Sequence, residues 1–362
     1  MQSVRSAIIR YPDRVLLSLR HGSEVYREMN LSVARMNLIP IDYFNKSYIN
    51  RGLKYLEGRY LIYQLLAQMD MNIGHFIFDD VFGLYSNLKQ FRSTRVNVPS
   101  ENYVLAHNPC SSFPMPLDKL CDKFTEGIFP IITSNPVRSI DFLLNSSERL
   151  CFRQLVAGQG IAGAVGQNAK NLHRARIFDE FRSDLLNVHH IDPISMPREH
   201  HIGLVEKHGR RNFQNLDEIY FKIRTTPQYM DIRVSILKNF VNMTIADQLK
   251  LFQTLTIVIS PCGGISMLFS FLPSKATLIV SGYPKIEKNR YGPGRLEAVY
   301  WDYQSHLNVL HYPVDSLDDF ELSDRMLKDK QEDLKHEAKV ILRTEKLFPL
   351  IDSAIIRAAL KY

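Results

Sequence analysis

Three short stretches of this chain carry residue types whose spacing can do chemistry. The first is Asn72-Ile-Gly-His75-Phe-Ile-Phe-Asp79-Asp80. His75 and Asp79 are four positions apart, so on an α-helix they share a face. A carboxylate beside an imidazole is a general base with its orienter, able to take a proton from a hydroxyl. The plainer alternative is a satisfied core histidine beside an acidic group near a helix N-terminus.

The second stretch is His208-Gly-Arg-Arg-Asn-Phe-Gln-Asn-Leu-Asp-Glu218. It follows an apolar run, 201–207, that reads as a strand, so it lies at that strand's carboxyl end. Arg210 and Arg211 suit bidentate contacts to phosphate. Asn215 fits as the N-cap of a following helix, satisfied by N–H groups near Asp217 and Glu218. A solvated basic loop with a structural cap is the alternative.

The third stretch is Ile257-Val-Ile-Ser-Pro-Cys-Gly-Gly-Ile-Ser-Met-Leu-Phe269. A buried strand runs into a glycine turn and then a helix. Glycines at a strand's carboxyl end let backbone N–H groups approach a phosphate, and a helix N-terminus favours negative charge. Gly263, Gly264, Ile265 and Ser266 would supply those donors. A tight strand–helix turn without a ligand is the alternative.

The elements that must position these residues follow from periodicity. Residues 55–69 and 72–90 are predicted helical, and 103–107, 129–133 and 150–157 are predicted strands. Residues 158–166 hold Gly158, Gly160, Gly163 and Gly166, close to G-x-G-x-x-G. No clear acidic partner lies ~20 residues on within a convincing βαβ unit. A helix is expected over 171–187. Strands at 201–207, 232–237, 256–260, 276–280 and 307–312 then alternate with helices at 216–224, 244–254 and 265–272. That rhythm implies a parallel sheet with helices on both faces, an α/β fold. From Asp318 the chain reads as mostly helical, interrupted near Pro349.

The 362 residues favour two domains, because single cores stop growing at roughly 250–300 residues. The formal net charge of +7 suits an anionic ligand such as a nucleotide diphosphate, and also nucleic acid or an anionic membrane. There is no dense Lys/Arg run, so charge does not favour nucleic acid. The four cysteines, Cys110, Cys121, Cys151 and Cys262, form no CxxC pair, which argues against structural zinc. Cys110 and Cys121 are either a disulfide in an oxidising compartment or isolated thiols. N-x-S/T sequons occur at Asn30, Asn45, Asn145 and Asn242. No stretch approaches the ~18 apolar residues of a membrane span. The chain is therefore expected to be cytoplasmic, or to lack an anchor present elsewhere. A P-loop, a G-x-S-x-G elbow and H-E-x-x-H are absent. His189-His190 and His200-His201 are adjacent pairs, not ligand pairs on one helical face. Neither Asp79-Asp80 nor Asp318-Asp319 makes the D-x-D arrangement that binds metal.

Taken together, the three stretches resemble glycosyltransferase family 61. That family shows an Asn, a His three positions on and an acidic residue four further, which here are Asn72, His75 and Asp79, with Asp80 completing a paired aspartate. Its basic stretch ends in an Asn-x-x-Glu-like element, resembling Arg210, Arg211, Asn215 and Glu218. Its helix, strand and His-Gly-Ala-Gly-like turn resemble 246–253, 256–260 and 262–269. The likeness runs over roughly 65–315. One departure matters: the usual His is Cys262 here, and the small residue after the first glycine is Gly264. A thiol does not replace an imidazole as a hydrogen-bond partner of equal strength.

The resemblance implies a GT-B architecture, two Rossmann-like domains facing across a cleft. Residues 1–192 would form the acceptor domain and 193–317 the nucleotide-sugar domain. A helical tail, 318–362, would pack back on the first. It implies inverting transfer from a UDP-sugar, with N-acetylglucosamine or xylose favoured, to a hydroxyl of a glycoprotein glycan or a polysaccharide. Asp79 or His75 would be the base, with Asp80 beside them and Asn72 as a structural part of the motif. Donor binding falls to Arg210, Arg211, Asn215, Glu218, Cys262, Gly263, Gly264, Ile265 and Ser266. No metal, other cofactor or nucleic acid is expected, and the ER or Golgi lumen is expected if an anchor is missing. The rival expectations are a non-catalytic glycan- or nucleotide-binding relative, with Cys262 marking decay of the donor site, and a Rossmann oxidoreductase using 158–166.

Overall fold

The computed structural model describes residues 7–9, 53–64, 72–90, 99–107, 110, 115, 117–139, 149–157, 175–287, 290–294, 301, 304–321 and 338–358. The glycine-rich stretch 158–166 and the sequons at Asn30, Asn45 and Asn145 lie outside them. The chain forms two compact units, Met1–Asn171 and Leu172–Tyr362.

The first unit is built on a five-stranded sheet in the order β1-β5-β2-β3-β4. The strands are β1 (Ala7–Ile9), β2 (Leu53–Gln64), β3 (Asn102–His107), β4 (Arg138–Ser139) and β5 (Arg149–Ala157). All neighbours pair in parallel except β1, which lies antiparallel on β5. Helical structure follows β2: α1 (Ile73–His75), a π-helical turn over Phe76–Val81, and α2 (Phe82–Gln90). After β3 comes α3 (Leu117–Ile128). Phe76, Ile77, Val81, Leu84, Tyr85 and Leu88 are buried, as are Cys121, Phe124 and Ile128 of α3. Cys110 and Cys121 form a disulfide.

Two expectations fail here. Residues 55–69 were expected to be helical, yet Leu53–Gln64 is a strand, hydrogen-bonded on both edges. Aromatic residues at 55, 60 and 63 favour the pleated surface, and the short apolar run fits either period. Gly58, at φ +92°, lies where the pairing register shifts between Leu56 and Arg59. A Cβ there would come within 2.6 Å of the Tyr103 ring. The expected strand 129–133 is instead a 3-10 turn, Phe129–Ile131. Pro130 offers no N–H to a ladder. The Ile132 carbonyl accepts from the Asn102 side chain at 2.5 Å, and the Thr133 hydroxyl donates to the Asn102 carbonyl at 2.6 Å.

The second unit holds a five-stranded sheet of parallel strands. They are β6 (His201–Val205), β7 (Arg233–Leu237), β8 (Ile257–Ser260), β9 (Thr277–Ser281) and β12 (Asn308–Tyr312). The hairpin β10 (Tyr283–Glu287) and β11 (Arg290–Gly294) stands between β9 and β12 in sequence. A further antiparallel pair joins β13 (Phe320–Glu321) to β14 (Lys339–Val340). The helices are α4 (Ala175–Val188), α5 (Leu216–Thr225), α6 (Ile245–Phe252), α7 (Gly264–Met267) and α8 (Thr344–Arg357).

Spatially the large sheet runs β7-β6-β8-β9-β12. In chain order this is 2-1-3-4-5, a doubly wound arrangement. Right-handed crossovers put α5 on one face and α6 and α7 on the other. The packing agrees: Ile202, Leu204, Ile257, Ile259 and Ile279 share one core with Ile219 and Ile223 of α5 and Leu347, Ile351 and Ala354 of α8. Strand residues of the other parity point the opposite way. A separate aromatic cluster joins Phe252 of α6 with Phe240 and Phe269.

The expected domain limits change accordingly. The helix over 175–188 belongs to the second unit: Phe181 packs on Phe271, and Arg182 donates to the Leu272 carbonyl at 2.8 and 3.1 Å. The tail was expected to pack back on the first domain, but the buried face of α8 lies on the second unit's own sheet. Nor is it helical throughout, since Phe320–Glu321 and Lys339–Val340 are strands. Pro349 does not interrupt α8. It lacks the N–H that would reach the Glu345 carbonyl, a loss offset by the packing of Leu347 and Ile351.

At the amino end of this sheet His306 is buried. Its Nε2–H donates to the Ser270 carbonyl at 2.9 Å, its Nδ1 lies 3.7 Å from Asp179, and its ring stacks on Phe178. Burial first, and then the Arg182 guanidinium, push the imidazole down to about 3. The folded state therefore holds a neutral ring while the unfolded chain takes up a proton below about pH 6.5. Stability is present above that pH and lost as the pH falls toward 3. Between about pH 6.5 and 5 the loss should be roughly 2 kcal/mol. Urea unfolding of the wild type and His306→Gln at both pH values checks this, because only the wild type should lose that increment.

Candidate functional site

In a doubly wound sheet the chain leaves its first strand in one direction and its third in the other. The crevice between their carboxyl ends is where ligands bind. Here those strands are β6 and β8, and the second and third stretches follow them directly.

The structure brings these two stretches together. The Arg211 guanidinium lies against Gly263: a Cβ on that glycine would come within 2.9 Å of Nη2 and 3.5 Å of Cζ and Nε. Gly263 has φ +116°, so a side chain is disfavoured there by the backbone as well as by the arginine. Arg211 itself sits in the left-handed region at φ +55°, two residues after Gly209 at φ +81°. A non-glycine residue holds that conformation only where its surroundings fix it.

What fixes it is the tail. Phe213 bridges Val340, whose N–H donates to the Asn212 carbonyl at 2.8 Å and whose carbonyl accepts from Gln214 at 2.9 Å. The Asn215 side chain then grips Leu342, donating to its carbonyl at 2.8 Å and accepting from its N–H at 2.9 Å. In the sequence this clasp is signalled only by the apolar run Val340-Ile341-Leu342, which names no partner. Other basic groups are engaged by acids: Lys238 by Glu206, Arg343 by Asp318 and Glu345, Lys346 by Asp315 and Asp319. Arg210 is exposed.

Several expected donor residues are committed elsewhere. Asn215 stands at the N-cap position of α5 but makes no side-chain cap, its amide being used on Leu342. Glu218 is an exposed residue paired with Lys222 at 2.6 Å, one helical turn on. Lys222, through its hydrogen bond and its charge, holds that carboxyl below its ordinary value. The Ser266 hydroxyl and N–H both donate to the Gly263 carbonyl, at 2.8 and 2.9 Å, so Ser266 closes the turn rather than facing a ligand. Cys262 is fully buried, its N–H donating to Ser281 Oγ at 3.3 Å and its thiol to the Gly282 carbonyl at 3.7 Å. Gly264 and Ile265 are the first residues of α7, one position ahead of the helix start expected at Ile265.

In the first unit, Asn72 caps α1, its side-chain oxygen accepting from the Gly74 N–H at 2.9 Å. His75 is exposed on that turn. The next residues are π-helical, with the Phe82 N–H bonded to the Ile77 carbonyl. His75 and Asp79 are therefore not related by the regular α-turn expected from their spacing. Asp80 is fully buried. Single π-turns inside helices recur at functional sites. The first sheet has its own switch between β2 and β5, and the helical run carrying these residues follows β2.

No family model matches this chain, and no curated protein does. Among the described residues no three His, Cys, Asp or Glu side chains are grouped to hold a metal ion. No helix among them is long and apolar enough to cross a membrane.

Proposed function

We propose that this protein is an inverting glycosyltransferase that uses a UDP-sugar donor. The observation that carries the reading is the contact of Arg211 with Gly263 at the carboxyl ends of β6 and β8. A guanidinium carried on a clasped loop beside a glycine backbone supplies a planar pair of donors for a diphosphate. In transfer, charge develops on the departing nucleotide diphosphate, and fixed donors aimed at it lower the barrier. Arg211 and the backbone of Gly263–Ile265 take that role, with Arg210 adding charge at the rim. Asn215 holds the arginine loop in place rather than touching the donor.

In this proposal the first unit supplies the base. Asp79 or His75 removes the acceptor proton as the hydroxyl attacks the anomeric carbon from the face opposite the diphosphate, which inverts that centre. The two units adopt the GT-B arrangement, the second holding the nucleotide and the first the acceptor, a glycoprotein glycan or a polysaccharide.

Cys262 favours one competing reading, a nucleotide- or glycan-binding relative without turnover, because a buried thiol stands where the family resemblance has an imidazole. UDP release separates the two. With UDP-N-acetylglucosamine or UDP-xylose and a panel of glycan acceptors, a transferase forms UDP in step with a product one sugar heavier. Donor binding with no acceptor-dependent UDP across the panel supports the binding protein instead.

A further inference from the structure

Asn242-Met-Thr244 is a sequon that the proposed reaction does not use. It lies between β7 and α6, where a 3-10 turn over Phe240–Asn242 gives way to the helix. Phe240 and Ile245 are buried and anchor the segment on both sides. Between them Asn242 is exposed, with its own N–H tied to the Asn239 carbonyl at 2.9 Å. Met243 and Thr244 are extended, at φ −68°, ψ 159° and φ −62°, ψ 158°. An exposed asparagine between buried anchors lets a large hydrated group stand in solvent without disturbing the core. The Cys110–Cys121 disulfide is the independent second observation. Disulfides persist in the oxidising compartments through which secreted chains pass, and N-linked oligosaccharide is attached along that route.

We infer that Asn242 is an N-glycosylation site. The Asn242 amide nitrogen forms a bond to the anomeric carbon of an oligosaccharide carried on a lipid diphosphate. The bond from that carbon to the diphosphate oxygen breaks, the amide gives up one proton, and the lipid diphosphate leaves. β7 is the outermost strand on its side of the sheet, and β6 separates it from β8. Asn242 thus follows an edge strand, not either of the strands that flank the crevice.

The test uses the full chain behind a cleavable leader, secreted from a eukaryotic cell and digested with trypsin. Peptide 239–250 should carry oligosaccharide. Release by peptide-N-glycosidase in heavy-oxygen water should leave labelled aspartate at position 242. Asn242→Gln should remove that glycan with the melting temperature of the deglycosylated protein unchanged. Thr244→Ala should remove it too, but should also lower the melting temperature, because the Thr244 hydroxyl caps α6 by accepting from the Asp247 N–H at 3.1 Å. Recovery of peptide 239–250 wholly unmodified from the secreted wild type overturns the inference.

Discussion

Arg211→Ala is expected to weaken UDP-sugar binding by ten- to a hundredfold, the loss of roughly 1.5–3 kcal/mol that accompanies a charged hydrogen bond. The loop that carries Arg211 is held from outside by Val340 and Leu342, so the fold should survive the change. Titration calorimetry with UDP-N-acetylglucosamine and UDP-xylose gives the affinities, and the melting temperature without ligand shows whether the fold is intact. Arg211→Lys should recover only part of the affinity, because an ammonium lacks the planar fork. Gly263→Ala should resemble Arg211→Ala, since its methyl group would occupy the space of the guanidinium. Unchanged affinity in both Arg211 variants removes this residue from the site.

The second large effect is expected in the first unit. Asp79→Asn keeps the shape of the side chain and abolishes its basicity. With a verified acceptor, turnover should fall by about a hundredfold or more while donor affinity stays nearly constant. Such a split places the loss in the transition state rather than in donor binding. Asp80→Asn is not a neutral comparison, because Asp80 is fully buried and its replacement should lower the melting temperature. Full activity of Asp79→Asn places the base elsewhere, with His75 as the next residue to change. A folding failure makes Asp79 a structural residue of the π-helical turn.

The second unit was largely legible in its sequence. Its central strands β6, β8 and β9 are short apolar runs buried on both faces and bounded by clear turn and cap residues. Thr244 marks the start of α6, and Gly263 marks the turn after β8. Alternation then implied the parallel sheet, and the sheet order puts the two predicted phosphate stretches side by side. The long-range terms were not legible. The amide of Asn215 is local to α5 but is taken by Leu342, far along the chain. The docking of α8 depends on an apolar face whose partner is the second sheet, and nothing in the tail itself names that partner. In the first unit, the aromatic run around Tyr60 fits a helix or a strand until its neighbours β3 and β5 are known. The π-helical turn after His75 changed a spacing argument that assumed regular α geometry.

The central claim is that one nucleotide sugar touches both the arginine loop and the glycine turn. Hydrogen–deuterium exchange with and without saturating UDP-sugar tests it most directly, with the melting temperature confirming that the donor binds the folded state. Exchange should slow at 208–212 and 262–266 together, and the slowing should be reduced in Arg211→Ala. Stabilisation by a UDP-sugar with unchanged exchange at both segments, or no stabilisation by any nucleotide sugar, would contradict it.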